Sequence, residues 1–227
     1  MHALWQFVNG AIAGLSGPVD GMDPELAGWA HSKGISVRTL PQRQGLSMLG
    51  QTMGFPWRIE LGPSSRAYIP GQEFRARANL GLNPEIAVLV LNRPLKEALA
   101  DRAYELYTDT LRTHVDPNLP EELRWLSLYP EVAWKGLPTA FCDRYAILAE
   151  QAAHAQCWLQ NGLLAKLSNW PDSKQGAHVP FTLMLLRGKI YLRMQYNPAM
   201  GMQTLEHATA AFELACELGM TGLRVAS

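Results

Sequence analysis

Between Trp57 and Leu82, two alternating segments flank a connection bounded by Gly and Pro. In the first, Trp57, Ile59 and Leu61 point one way while Arg58 and Glu60 point the other. In the second, Phe74, Ala76, Ala78 and Leu80 share a face opposite Glu73, Arg75, Arg77 and Asn79. Side chains alternate across a strand, so period-two patterning signals strands buried on one side only. The pattern sets four arginines, Arg58, Arg66, Arg75 and Arg77, on or beside one polar sheet surface.

The rest of the chain follows the same logic. Strands are expected at Ser36–Leu40, Leu46–Leu49, Trp57–Leu61, Glu73–Leu80, Ile86–Asn92, Arg144–Ala149, Phe181–Arg187 and Lys189–Tyr196. The run Ile86–Asn92 is continuously apolar and suits a central strand. Ile190, Leu192 and Met194 alternate with Lys189, Tyr191 and Arg193 beyond a turn at Arg187-Gly188, the clearest hairpin in the chain. Helices are expected at Leu4–Leu15, Pro24–Ser32, Pro94–Arg112, Gln151–Ser168 and Gln203–Leu218, the last stopped by Gly219. Asp23-Pro24-Glu25 carries a capping carboxylate, a first-turn proline and an acid that complements the helix dipole. The segment Leu119–Leu137 reads both ways: PEELRWLSLY starts like a helix at Pro120, whereas Trp125–Tyr129 suits a short strand. The expected fold is α+β, a mainly antiparallel β-sheet with helices packed on one face.

A chain of 227 residues with 48% hydrophobic residues can bury a core without disulfides or metals. It reads as one domain over 1–227; a weaker division into pseudo-halves, 1–115 and 116–227, rests on strand pairs followed by helices near Glu73–Arg112 and Phe181–Leu218. The formal net charge of zero argues against a generic polyanion binder. The charges are nevertheless segregated: His31–Arg93 holds eight Lys/Arg against three Glu, and Glu97–Glu150 holds ten Asp/Glu against five Lys/Arg. These opposite surpluses attract each other within the fold or form complementary surfaces in an assembly. Cys142, Cys157 and Cys216 are an odd number at no metal or redox spacing, which fits a reducing compartment. With no cationic leader and no apolar run of ~20 residues, the expectation is a cytoplasmic protein without a membrane span.

The first candidate site is the arginine face with its connecting loop, Gly62–Gly71. Ser64, Ser65 and Arg66 can bind a carboxylate or phosphate through backbone and guanidinium donors, with Tyr68 as a planar wall. The competing expectation is that Arg58, Arg75 and Arg77 pair across strands with Glu60 and Glu73, leaving Arg66 solvated. Nucleic-acid binding is disfavoured because alternation turns Trp57 and Phe74 away from the arginines, leaving only Tyr68 to stack on bases.

Other constellations are weaker. His154 and Cys157 share a helix face and, with Cys142 or His178, would make a metal or thiol–imidazole site, but the spacing matches no established pattern. Glu121-Glu122 and Asp101/Glu105 are acid pairs at or on helices, where dipole complementation and solvation explain them. Gly10–Gly21 follows a helix rather than a strand, so it is no dinucleotide loop. Trp125, Tyr129, Trp134 and Phe141 form a partner-binding patch or pin an irregular segment onto the core. No catalytic constellation assembles, and no metal or cofactor is implied. The leading expectation is a non-catalytic intracellular protein-interaction or accessory protein that uses its charged sheet face to bind another protein or a second copy of itself. The alternative is a binding protein or enzyme for a small anionic ligand, phosphate or carboxylate, at the Gly62–Gly71 loop.

Overall fold

In the computed structural model of the chain, residues 22–40, 45–108, 120–160, 162–171 and 179–223 are described. They form α1 (Pro24–Ser32), β1 (Ser36–Thr39), β2 (Leu46–Thr52), β3 (Phe55–Pro63), β4 (Gln72–Asn79), β5 (Val88–Asn92), α2 (Arg93–Thr108) and α3 (Glu121–Leu128). There follow α4 (Thr139–Arg144), β6 (Tyr145–Ala149), α5 (Ala152–Leu159), α6 (Leu163–Ser168), β7 (Phe181–Leu186), β8 (Lys189–Tyr196) and α7 (Gly201–Gly222). The expected helix at Leu4–Leu15 lies outside the described residues, as does His178.

The α+β expectation holds. One eight-stranded sheet runs in the order β1-β2-β3-β4-β8-β7-β5-β6, and all its pairings are antiparallel. The first four strands form a meander. The β7–β8 hairpin then inserts between β4 and β5, so residues 120 positions apart in the chain become neighbours across β4 and β8. The hairpin turns at Arg187 (φ 52°) and Gly188 (φ 72°). A Cβ at Gly188 would sit 2.6 Å from the Leu82 carbonyl oxygen, so this corner requires glycine both for its φ and for the close approach.

Alternation decides what each strand buries. Ile59, Phe74, Ala76, Ile190 and Leu192 face a large core shared with α1, α5, α6 and α7, built around Trp158, Phe212 and Leu205. Val88 and Val90 join this core, whereas Leu89 and Leu91 face the other way into a second, smaller cluster with Leu95 and Leu99 of α2 and Leu123 and Trp125 of α3. Helices therefore pack on one face over β2–β4, and α2 with α3 adds a second layer on the opposite face over β5–β7. The fully apolar β5 has both its faces covered, but it lies seventh of the eight strands, next to the edge strand β6, rather than at the centre of the sheet.

The expected boundaries need three corrections. Gly162, at φ 103°, divides the expected single helix Gln151–Ser168 into α5 and α6. Gly219 does not stop the last helix, which runs on to Gly222; a Cβ there would lie 2.9 Å from Ile190 Cδ1, so its smallness lets α7 approach β8. Trp125–Tyr129 is no strand: Trp125 lies within α3 and is buried, and Tyr129 ends that helix. Trp125 and Phe141 are buried while Tyr129 and Trp134 pack against the clusters, so these aromatics pin the segment to the core.

Glu131 ties this segment to α2 by accepting from Arg93 Nη2 (2.7 Å) and Lys96 Nζ (3.3 Å). Partial burial raises its pKa, but the bonds and charges of Arg93 and Lys96 outweigh that and hold it below the ordinary carboxylate value. A depressed folded pKa means the stabilisation is present above the unfolded value of about 4.3 and is lost as pH falls through the folded value. Thermal melts of Glu131→Gln should therefore converge on wild type in this acidic window and fall below it near neutrality. A difference independent of pH would refute the assignment.

Candidate functional site

Across the polar face the strand register aligns two rows. One runs Arg38, Ser47, Glu60, Arg75, Arg193 and Thr182 from β1 to β7; the other passes through Leu49, Arg58, Arg77 and Tyr191. The guanidinium groups thus project from one side of the sheet, and carboxylates of the same face answer most of them. Arg75 Nε donates to Glu60 Oε2 at 2.6 Å, directly across β3 and β4, as the cross-strand expectation requires. Arg58 instead pairs along its own strand with Glu60 Oε1 (2.8 Å) and donates to Ser47 Oγ (3.1 Å).

Glu73 organises the other end. Its side chain is fully buried, although it lies on the charged side of the sheet. Arg193 Nη1 donates to Glu73 Oε1 at 2.5 Å, and Arg75 Nη1 lies 3.7 Å from Oε2. The backbone N–H and hydroxyl of Ser65 donate to the same Oε2 at 2.9 and 3.1 Å. The loop expected to bind an external anion thus closes over the chain's own carboxylate. Ser64 is turned inward as well: its hydroxyl donates to the Arg66 carbonyl and accepts from the Arg66 N–H.

Arg66 is not simply solvated. It reaches Glu122 (3.5 Å) and Glu121 (3.8 Å) at the start of α3, and Arg187 also meets Glu121 (3.3 Å). These pairs join the basic and acidic stretches within one fold. Tyr68 does not stand free as a planar wall: it packs against the second cluster, and burial pushes its hydroxyl pKa up to about 12.

Arg77, like Arg38 at the β1 edge, is exposed and makes no ion pair among the described residues; what sets it apart is that it lies directly opposite Arg58, whose side chain is 48% exposed. Like charges directly opposite each other on a sheet repel, so a carboxylate placed between them relieves an unfavourable pair.

Sequence reasoning missed Arg193, the closest partner of Glu73. Its position in an alternating strand was visible, but its neighbour was not, because nothing local says that β8 lies beside β4. The remaining candidates do not assemble. Among the described residues no group of three His, Cys, Asp or Glu could hold a metal ion, and the Cys157 thiol donates to the Gly222 carbonyl at 3.4 Å. No described helix is long and apolar enough to cross a membrane.

Fold and site together define an α+β protein whose antiparallel sheet carries a charge-paired outer face. No protein-family model matches the chain, and no curated protein matches it in sequence. Among solved structures it is similar to the mycobacterial trehalose monomycolate transport factor A, TtfA, at 9% identity and a TM-score of 0.46, over 88% of this chain and 95% of that one. That likeness is too distant to bear on function.

Proposed function

We propose that this protein is a non-catalytic interaction or accessory protein that docks an acidic protein surface on its charged sheet face. Arg77, without an ion pair among the described residues and set against Arg58, carries the reading: it is a cation whose charged neighbour in register repels it. Arg75 and Arg193 serve a different purpose, holding Glu60 and Glu73 so that the face is rigid before a partner arrives. The chain offers a matching surface of its own. Glu97 and Asp101 are exposed one turn apart on α2, outside the internal pairs that absorb Glu121, Glu122 and Glu131. A second copy presenting α2 is therefore the first partner to examine, in a heterologous contact.

The test is charge reversal at Arg77. Light scattering should show concentration-dependent association of the wild type that weakens with salt and is abolished in Arg77→Glu. The melting behaviour should be unchanged, because an exposed surface arginine of this kind contributes within about 0.5 kcal/mol. Mixing Arg77→Glu with Asp101→Lys should restore the contact. Association of Arg77→Glu equal to wild type would remove this face from consideration.

A further inference from the structure

On the opposite side of the sheet, α1, α6 and α7 line a cavity of about 420 Å³. That volume falls within the ~300–1,000 Å³ of small-molecule sites. Its polar lining holds full charges of both signs: Lys33 and Lys166 against Glu206 and Glu213. Trp29, one turn before Lys33, adds an aromatic wall.

One group lining it, His207, is held in a set orientation. His207 Nε2 lies 2.8 Å from the Lys166 carbonyl oxygen. A carbonyl only accepts, so Nε2 carries the proton and Nδ1 is an acceptor in the neutral ring. The ring also meets Trp170 edge-on at 4.8 Å, which fixes its plane. Burial lowers the imidazole pKa; the bond to the Lys166 carbonyl opposes this and the Lys166 charge adds to it, and the net effect holds the ring below its ordinary value, on the neutral side at pH 7. Thr209, only 2% exposed, lines the same cavity, and its hydroxyl has no hydrogen-bond partner among the described residues.

The charges choose the ligand class. A purely anionic molecule would meet Glu206 and Glu213, and a purely cationic one Lys33 and Lys166. An uncharged polyol would partly desolvate all four and compensate none. We infer that this cavity binds a small zwitterion bearing a free ammonium and a free carboxylate, of the amino-acid or short-peptide class. Glu213 answers the ammonium and Lys166 the carboxylate, while Nδ1 of His207 accepts an N–H. Trp29 packs against the apolar side chain.

Calorimetric titration with alanyl-leucine, its N-acetyl form, its C-terminal amide and glucose tests this on the wild type, Glu213→Gln and Lys166→Met. The free dipeptide should bind the wild type, and each blocked form should bind about tenfold more weakly or not at all. Glu213→Gln should erase the effect of acetylation and keep that of amidation; Lys166→Met should do the reverse, since the carbonyl that orients His207 is backbone. No binding of the free dipeptide, equal binding of the blocked forms, or tighter binding of glucose would each overturn the inference. Because the blocked-ligand series uses the wild type, it decides the question even if a variant fails to fold.

Discussion

Replacing Glu73 with alanine should lower the free energy of unfolding by about 3–5 kcal/mol, the range for removing one partner of a buried ion pair. The carboxylate is fully buried and holds Arg193 and Ser65, with Arg75 near its second oxygen. Without it, Arg193, whose side chain is only 16% exposed, keeps its charge and loses its closest anion. Ser65 loses the acceptor for both its donors, so the loop over β4 loosens too. For a chain of this size the loss corresponds to a drop in melting temperature of roughly 6–20 °C. The control is a double replacement, Glu73→Leu with Arg193→Met, which removes both charges and should recover most of the stability. Urea denaturation reads both; a wild-type midpoint in Glu73→Ala would mean that the network is decorative.

The second large effect is expected at Trp158, on the other side of the sheet. Its side chain is fully buried in the main core, and its indole N–H donates to the Ala215 carbonyl at 2.9 Å, joining α5 to α7. Trp158→Ala should destabilise by about 3–5 kcal/mol through lost transfer energy and the cavity left behind. Trp158→Phe keeps most of the packing but leaves the Ala215 carbonyl without that donor, and should cost about 1–3 kcal/mol. Equal losses in the two variants would place the whole effect in the hydrogen bond and contradict the packing account. Neither change touches Arg77, so association through the charged face should survive wherever the protein remains folded.

The features legible beforehand were local ones. Strand alternation in 57–61, 73–80 and 189–196 assigned sides correctly, because a pleated strand has only two. The Asp23 cap was readable because its carboxylate acts two residues away, on the Glu25 N–H at 2.9 Å. The Arg187-Gly188 turn was readable because alternating runs flank a glycine, which takes the positive φ that a tight hairpin turn demands there. Errors arose where glycine had two meanings. Gly162 breaks a helix by its left-handed φ of 103°, with nothing packed against it, whereas Gly219 continues one and is small because Ile190 and Leu82 press on it. The loop Gly62–Gly71 has the composition of an anion-binding turn, and its Ser65 does bind a carboxylate, that of Glu73.

The cavity beside His207 was invisible for a related reason. Lys33, Lys166 and Glu213 are scattered along the chain and carry no motif; only the packing of α1 and α6 against α7 brings them together. Likewise, the pairing of Arg66 with Glu121 and Glu122 requires α3 to settle beside the loop.

The order of residues alone determined that β3, β4 and β8 would be half-greasy strands, that β5 would be apolar on both sides, and that arginines would share one side, since these follow from side-chain direction within a single extended segment. That Arg193 is the arginine closest to Glu73 was decided only when the β7–β8 hairpin came to rest beside β4, and that Arg66 meets Glu121 and Glu122 only when α3 settled beside its loop. An ion pair is a relation between two positions in space, and a strand's alternation specifies a side of the sheet but never a neighbour.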